Sequence, residues 1–174
     1  MRERVRRAGA RRRALSAHSS IDIARPVADV FRFFKDFENF PRIIGSIRSV
    51  VDYEDGRSHW EVYTPAGATL EFDAVVTKYV PNSVIAWASV TGSPIETTVL
   101  ARFTPLTAST MRLDVDVSYC VVNTDLGDAV RALVAPRSTA QLVNGLERAR
   151  FYLESMPAPA SARRDDGDLP AHAG

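Results

Sequence analysis

The clearest pattern in the chain is a strict alternation of apolar and polar residues between Thr110 and Val122. The apolar set is Met111, Leu113, Val115, Val117, Tyr119 and Val121. Successive side chains of a strand point to opposite faces, so this pattern predicts a strand with the apolar set facing the interior. Shorter segments of similar character predict five further strands, at 47–53, 58–64, 69–80, 84–90 and 96–104. The short turns between them favour an antiparallel meander, because parallel strands need long crossovers.

Helical spacing replaces this alternation at both ends of the strand region. A strand is predicted at Ser19–Ile23, and Pro26 then suits the first position of a helix. A second short helix is predicted from Phe37, ending near Pro41. A long helix is predicted over 125–155, with a kink or division at Pro136. Its apolar stripe consists of Leu142, Leu146, Ala149 and Leu153. The order of these elements predicts an α+β fold, with one curved antiparallel sheet and a long C-terminal helix.

A cavity between the sheet and the long helix is the main functional prediction. A twisted sheet of five or more strands curls, and a straight helix cannot touch it everywhere. The gap is either filled by large side chains or left open for a ligand. The candidate ligand-binding residues are Phe40, Trp60, Phe72, Trp87, Phe103, Met111, Leu113, Val115, Val117, Leu142 and Leu146.

Charge and composition divide the chain into three zones. Residues 1–16 are predicted to be a disordered basic arm, 17–156 the folded domain and 157–174 a disordered tail. The net charge is +1, but residues 1–13 contain seven arginines and one glutamate, which leaves the rest mildly acidic. A contact with nucleic acid or an anionic membrane is therefore expected only through residues 1–13.

Cellular location and cofactors follow from smaller observations. The single cysteine, Cys120, rules out an intrachain disulfide, and with only three histidines a zinc site is not expected. The basic N-terminus lacks the apolar stretch of a secretory signal, and no segment reaches the ~20 apolar residues that span a bilayer. We therefore expect a cytoplasmic protein without a cofactor. The oligomeric state is left open.

Several motifs resemble a known family. Val27-x-x-Val30-Phe31, followed by Asp-Phe-Glu-Asn-Phe-Pro at 36–41, resembles the opening of the polyketide cyclase/dehydrase group. That group lies in the START-like superfamily with plant allergen-type and coenzyme Q-binding proteins. His59-Trp60 and the segment 102–105 also fit, and the likeness covers about residues 18–155. It implies a helix-grip fold, with six to seven strands, two short helices after the first strand, and an apolar tunnel.

The resemblance also implies a reaction class and shows one departure from it. Aromatase/cyclase members fold and dehydrate a poly-β-ketone chain, and the aromatic residue before Pro41, here Phe40, would line the mouth of the tunnel. Those enzymes commonly carry an interior arginine on a middle strand. The matching stretch here reads Leu-Glu-Phe-Asp-Ala-Val at 70–75, and the nearest cation on that strand is Lys78.

Two polar residues are candidates for catalysis. Tyr119 shares the inward parity of its strand, and Arg150 flanks the apolar stripe of the long helix. From there Arg150 could bind a carboxylate or enolate; the alternative is a surface arginine. His59 is expected at the surface or packed in its strand. Glu71 and Asp73 share one strand face, expected to be the solvated one.

Three functions are compatible with these observations. The first is an enzyme of the cyclase/dehydratase kind, for which Tyr119 and Arg150 would carry the chemistry. The second is a non-catalytic carrier of a lipid, a quinone or another apolar metabolite. The third is an interaction protein that contacts RNA, the ribosome or an anionic membrane through residues 1–13.

Overall fold

Seven strands form one antiparallel sheet in the computed structural model, which describes residues 15–63, 67–121 and 138–157. The strands are β1 Leu15–Ile23, β2 Ile47–Asp52, β3 Arg57–Tyr63, β4 Thr69–Val80, β5 Val84–Ser89, β6 Ile95–Pro105 and β7 Met111–Val121. Their order is β1-β7-β6-β5-β4-β3-β2, and every neighbouring pair is antiparallel. The predicted meander is confirmed for β2 to β7, and β1 closes the sheet beside β7.

Two irregularities in the strand pairing help this sheet to curl. The register shifts between Ile47 and Ser49 on β2, and between Val76 and Lys78 on β4. An extra residue on one strand bends it and increases the local twist. The sheet therefore presents a concave face to the helices and a convex face to solvent.

The helices occupy the concave side. They are α1 Val27–Lys35, a 3₁₀-helix at Phe37–Asn39, α2 Phe40–Ile43 and α3 Ser138–Ser155. α1 follows Pro26 as predicted, and it buries Val30, Phe31, Phe33 and Phe34. The prediction that the second short helix ends near Pro41 is wrong, because Pro41 lies in the first turn of α2. An amide hydrogen is not needed there, so proline is compatible with the start of a helix.

The helix-grip arrangement follows from how α3 packs. Leu146, Ala149 and Leu153 of the predicted stripe are buried, and α3 contacts β1 and α2. On β7, the neighbour of β1 in the sheet, Met111, Leu113, Val115 and Val117 are buried. The curled sheet, the C-terminal helix and the short helices after β1 confirm the predicted α+β fold class.

A polar clasp fixes the C-terminal end of α3 to the turn between β1 and α1. The Arg25 guanidinium donates hydrogen bonds to the carbonyl oxygens of Glu154, Met156 and Pro157. The Ala24 amide donates to Glu154 Oε1 at 2.8 Å. A cation at a helix C-terminus satisfies carbonyls that have no partner within the helix.

Charged side chains cover the convex face. Asp22 accepts two hydrogen bonds from Arg112, and His59 Nδ1 lies 2.7 Å from Asp73 Oδ1. Hydrogen bonding to Arg112 lowers the pKa of Asp22. Glu71 and Asp73 are exposed, as predicted, and His59 pairs with them on this face. None of these groups faces the helices.

The predicted arm and tail lie almost entirely outside the described residues. β1 begins at Leu15, so the end of the arm at residue 16 was placed two residues too late. The predicted helix before Ser138, with its kink at Pro136, also lies outside them, as does the side chain of Cys120. The contacts expected of residues 1–13 stay predictions. In the described part of the chain, no helix is both long and apolar enough to cross a membrane.

Candidate functional site

A cavity of about 150 Å³ lies between the concave face of the sheet, α2 and α3. Its wall combines residues from β2 to β7 with residues of α1, α2 and α3. Eight of the eleven predicted ligand-binding residues line it: Phe40, Trp60, Phe72, Trp87, Val115, Val117, Leu142 and Leu146. The predicted gap between sheet and helix is therefore present, and it is small.

Stacked aromatic rings form one wall of the cavity. The Trp60 ring lies nearly parallel to Phe72 at 6.0 Å and to Trp87 at 6.3 Å. Phe40 meets both indoles edge to face, at 5.4 and 5.5 Å. Trp60 Nε1 donates to the buried Ser58 Oγ at 2.8 Å, which fixes the indole and leaves it no free donor. This part of the wall is aromatic and apolar.

Three predicted ligand-binding residues do not reach the cavity. Phe103 packs against Phe31 and Phe34 at ring distances of 5.1 and 5.9 Å. Met111 and Leu113 are completely buried near the same end of the sheet. Strand parity placed all three on the correct face but could not show which end of that face α1 covers. They belong to the filled core.

The candidate catalytic role of Arg150 also needs correction, because its side chain does not line the cavity. Its guanidinium pairs with Glu147, one turn earlier on α3, and its side chain is 42% exposed. A long charged side chain beside an apolar stripe follows the surface when a carboxylate lies within reach on the solvent side. Arg150 is therefore a surface arginine.

Tyr119 does line the cavity, at the end formed by β6 and β7. It is half-buried, and burial raises the pKa of its phenol. Its hydroxyl makes no hydrogen bond to the described residues. Desolvation disfavours the phenolate, so the side chain stays a neutral group that can donate a hydrogen bond.

Sequence reasoning missed Thr97, the register partner of Tyr119 on β6. Thr97 lines the cavity, and its Oγ1 is buried without a hydrogen-bond partner. Ile95, Val99, Ala101 and Phe103 share its parity and are buried, so the alternation of β6 could have placed it inside. A threonine among inward-facing apolar residues of β6 was the sequence signal that could have identified this site residue.

The cavity opens between the loop after α2 and the first turns of α3. Lining residues are most exposed there, with Gln141 exposed and Ile44, Ser46 and Leu142 partly buried. Gly145 brings the two segments close, since a Cβ at this position would lie 3.2 Å from Ile44 Cγ1. The lining formed by the described residues contains no aspartate, glutamate, histidine, lysine or arginine.

Comparison with known proteins agrees with this architecture. Residues 23–147 match the model of the family described as polyketide cyclase/dehydrase and lipid transport. The chain belongs to this family. The START-like resemblance of the sequence motifs is thereby confirmed. The family's description covers both catalysis and transport, so membership alone does not choose between them.

Individual relatives are similar to the chain in sequence or in fold. An uncharacterized 17.2 kDa protein of Streptomyces lincolnensis is 32% identical over 73 residues, which are 42% of this chain and 48% of that protein. The chain thus spans about half the length of this curated relative. A Deinococcus radiodurans protein has a TM-score of 0.64 at 25% identity, covering 80% of this chain and 97% of its own.

Two further solved structures, an aromatase/cyclase and a START superfamily protein, have a similar fold. The Zhui aromatase/cyclase of a Streptomyces species has a TM-score of 0.65 at 17% identity, covering 82% of this chain and 94% of its own. A START superfamily protein of Mycobacterium smegmatis has a TM-score of 0.62 at 19% identity, covering 79% and 98%. At these identities the likeness establishes the shared fold.

Proposed function

We propose that this family member binds a small, largely apolar molecule in the cavity between its sheet and α3. The observation that carries the proposal is the cavity itself, apolar over most of its wall and backed by stacked aromatic rings. Binding sites for small molecules are commonly concave and apolar, with a few polar groups to orient the ligand. The wall described here has that composition.

The volume limits the size of the ligand. An apolar cavity of about 150 Å³ accommodates one benzene molecule, whereas drug-sized ligands occupy roughly 300–1,000 Å³. The cavity as it stands, also about 150 Å³, fits a molecule with a single ring. A multi-ring compound or a long poly-β-ketone would require α3 or the loop after α2 to move outward.

The test uses the two tryptophans of the chain, Trp60 and Trp87, as reporters. Both line the cavity, so a ligand that enters it should change the intrinsic fluorescence. We expect benzene to give a saturable change and anthracene, with three fused rings, to bind at least tenfold more weakly once corrected for solubility. Absence of saturable binding for every ring size would contradict the proposal.

A blocked variant shows where the probe binds. Val117 is buried in the cavity wall, and Val117→Phe should abolish binding by occupying the space. Val75→Phe makes the same exchange at an exposed position and should leave binding unchanged. Overpacking can cost about 1–3 kcal/mol, so thermal melts of both variants are needed to show that they are folded.

Catalysis of cyclisation or dehydration is the second candidate. The hydroxyls of Tyr119 and Thr97 favour it, because donors in the wall of an apolar cavity could stabilise the oxygen of an enolising ketone. Proton abstraction also needs a base, and the described lining supplies no carboxylate or imidazole. If this candidate holds, Tyr119→Phe should lower turnover of a small β-diketone at least tenfold while benzene binding persists. Equal turnover would remove the catalytic role of Tyr119.

A further inference from the structure

Two hydroxyl-bearing side chains meet at one end of the otherwise apolar cavity. Thr97 on β6 and Tyr119 on β7 are direct register partners, and both line the cavity. Side chains at opposed positions of two antiparallel strands leave the same face and lie about 5 Å apart at their Cβ atoms. Both side chains therefore belong to the same end of the cavity wall, and we call their two hydroxyls the hydroxyl pair.

The hydroxyl pair has unused hydrogen-bonding capacity. Thr97 Oγ1 is buried without a partner among the described residues, which costs free energy in the empty protein. The Thr97 backbone amide is bound to Ser89 Oγ at 2.9 Å, so its strand is held in place while the hydroxyl is not. Rotation about χ1 moves Oγ1 from one staggered position to another, which lets it turn toward the cavity.

The other polar side chains of the wall either have a hydrogen-bond partner already or lie where water can reach them. Trp60 Nε1 already donates to Ser58 Oγ. Ser46 and Gln141 lie where the lining is most exposed and can bond to water. A ligand polar group buried beyond the mouth would therefore find its partners at the hydroxyl pair.

We infer that the cavity selects a single-ring molecule bearing one neutral oxygen, a phenol or a cyclic ketone, and holds that oxygen at Thr97 and Tyr119. This inference rests on the proposed function, and it adds the chemical class of the ligand. A hydrocarbon would leave the Thr97 hydroxyl unpaired. A carboxylate would be buried without a cation, since the described lining contains no arginine, lysine or histidine. A neutral hydroxyl or carbonyl avoids both penalties.

The decisive experiment compares benzene with phenol in the wild type and in Thr97→Val. Valine keeps the shape of threonine and removes only the hydroxyl, so it should lower the affinity for phenol at least fivefold. The affinity for benzene should stay equal or rise. Thr97→Ser keeps a hydroxyl and should retain the wild-type ratio of the two affinities. Thr98→Val makes the same exchange on the exposed face of β6 and should change neither affinity.

The outcomes separate this inference from the proposal on which it rests. If neither benzene nor phenol binds the wild type, the cavity proposal fails and this inference fails with it. If both bind and the ratio is the same in Thr97→Val and in Tyr119→Phe, the hydroxyl pair does not select the ligand and this inference alone is overturned. Benzoate should bind at least tenfold more weakly than phenol at neutral pH. Tighter binding of benzoate would overturn the assignment of a neutral oxygen.

Discussion

Thr97→Val should stabilise the ligand-free protein, because it removes the buried hydroxyl that has no partner. A buried polar group without a hydrogen bond costs about 1–3 kcal/mol, and an apolar isostere avoids that cost. Thr97 is only 7% exposed, so most of the penalty should apply. We expect the free energy of unfolding to rise by about 1–2 kcal/mol. For a chain of this size that corresponds to an increase in Tm of about 2–8 °C.

Calorimetry and urea unfolding of the ligand-free protein measure this effect. Thr98→Val is the matched control, since Thr98 is exposed on the same strand and its exchange should change stability by less than about 0.5 kcal/mol. A Tm for Thr97→Val equal to or below that of the wild type would refute the reasoning. It would mean that the hydroxyl has a partner in solution, such as a water molecule held in the cavity.

Three further predictions concern the C-terminal end of α3, the Tyr119 side chain and the mouth of the cavity. Arg25→Ala should destabilise the protein by about 1 kcal/mol and speed hydrogen exchange at the end of α3, whereas Arg32→Ala, exposed on α1, should have little effect in the same assay. Partial burial raises the pKa of the Tyr119 phenol, so above about pH 10 the unfolded chain loses this proton first and the free energy of unfolding falls. Tyr119→Phe should flatten that decline in urea unfolding between pH 9 and 11, and Tyr79→Phe, at an exposed site, should not. Gly145→Ala should weaken phenol binding severalfold by pushing the loop after α2 into the mouth of the cavity. The free energy of unfolding should change by less than about 1 kcal/mol. An unchanged affinity for phenol would show that the loop moves aside without narrowing the mouth.

The fold could be predicted because its signals are local. The alternation in β7 and the helical spacing after Pro26 each depend on a few neighbouring residues, and both predict the observed elements. The start of β1 and the end of the second short helix were misplaced, since the end of an element depends on hydrogen bonds that parity does not describe. The family motifs added the order in which these elements pack.

The site was predictable only in part, because lining a cavity is a property of the assembled layers. Parity put Val117 and Leu113 on one face, but only the position of α1 shows that Leu113 is in the filled core. Arg150 lay near the apolar stripe in sequence, and its pairing with Glu147 turned it outward. Thr97 escaped notice because a lone hydroxyl in a strand is ordinary until its surroundings show that it lacks a partner.

The pairing of β1 with β7 has a consequence for how the protein is made. His18 on β1 and Asp116 on β7 are opposite each other on neighbouring strands but are 98 residues apart in the chain. During translation at roughly 5–20 residues per second, the N-terminal strand must wait for several seconds before its neighbour is synthesised. Contacts of such high sequence separation also slow folding in general. An emerging chain therefore exposes β1 as an unpaired, half-apolar strand during this interval, which favours aggregation.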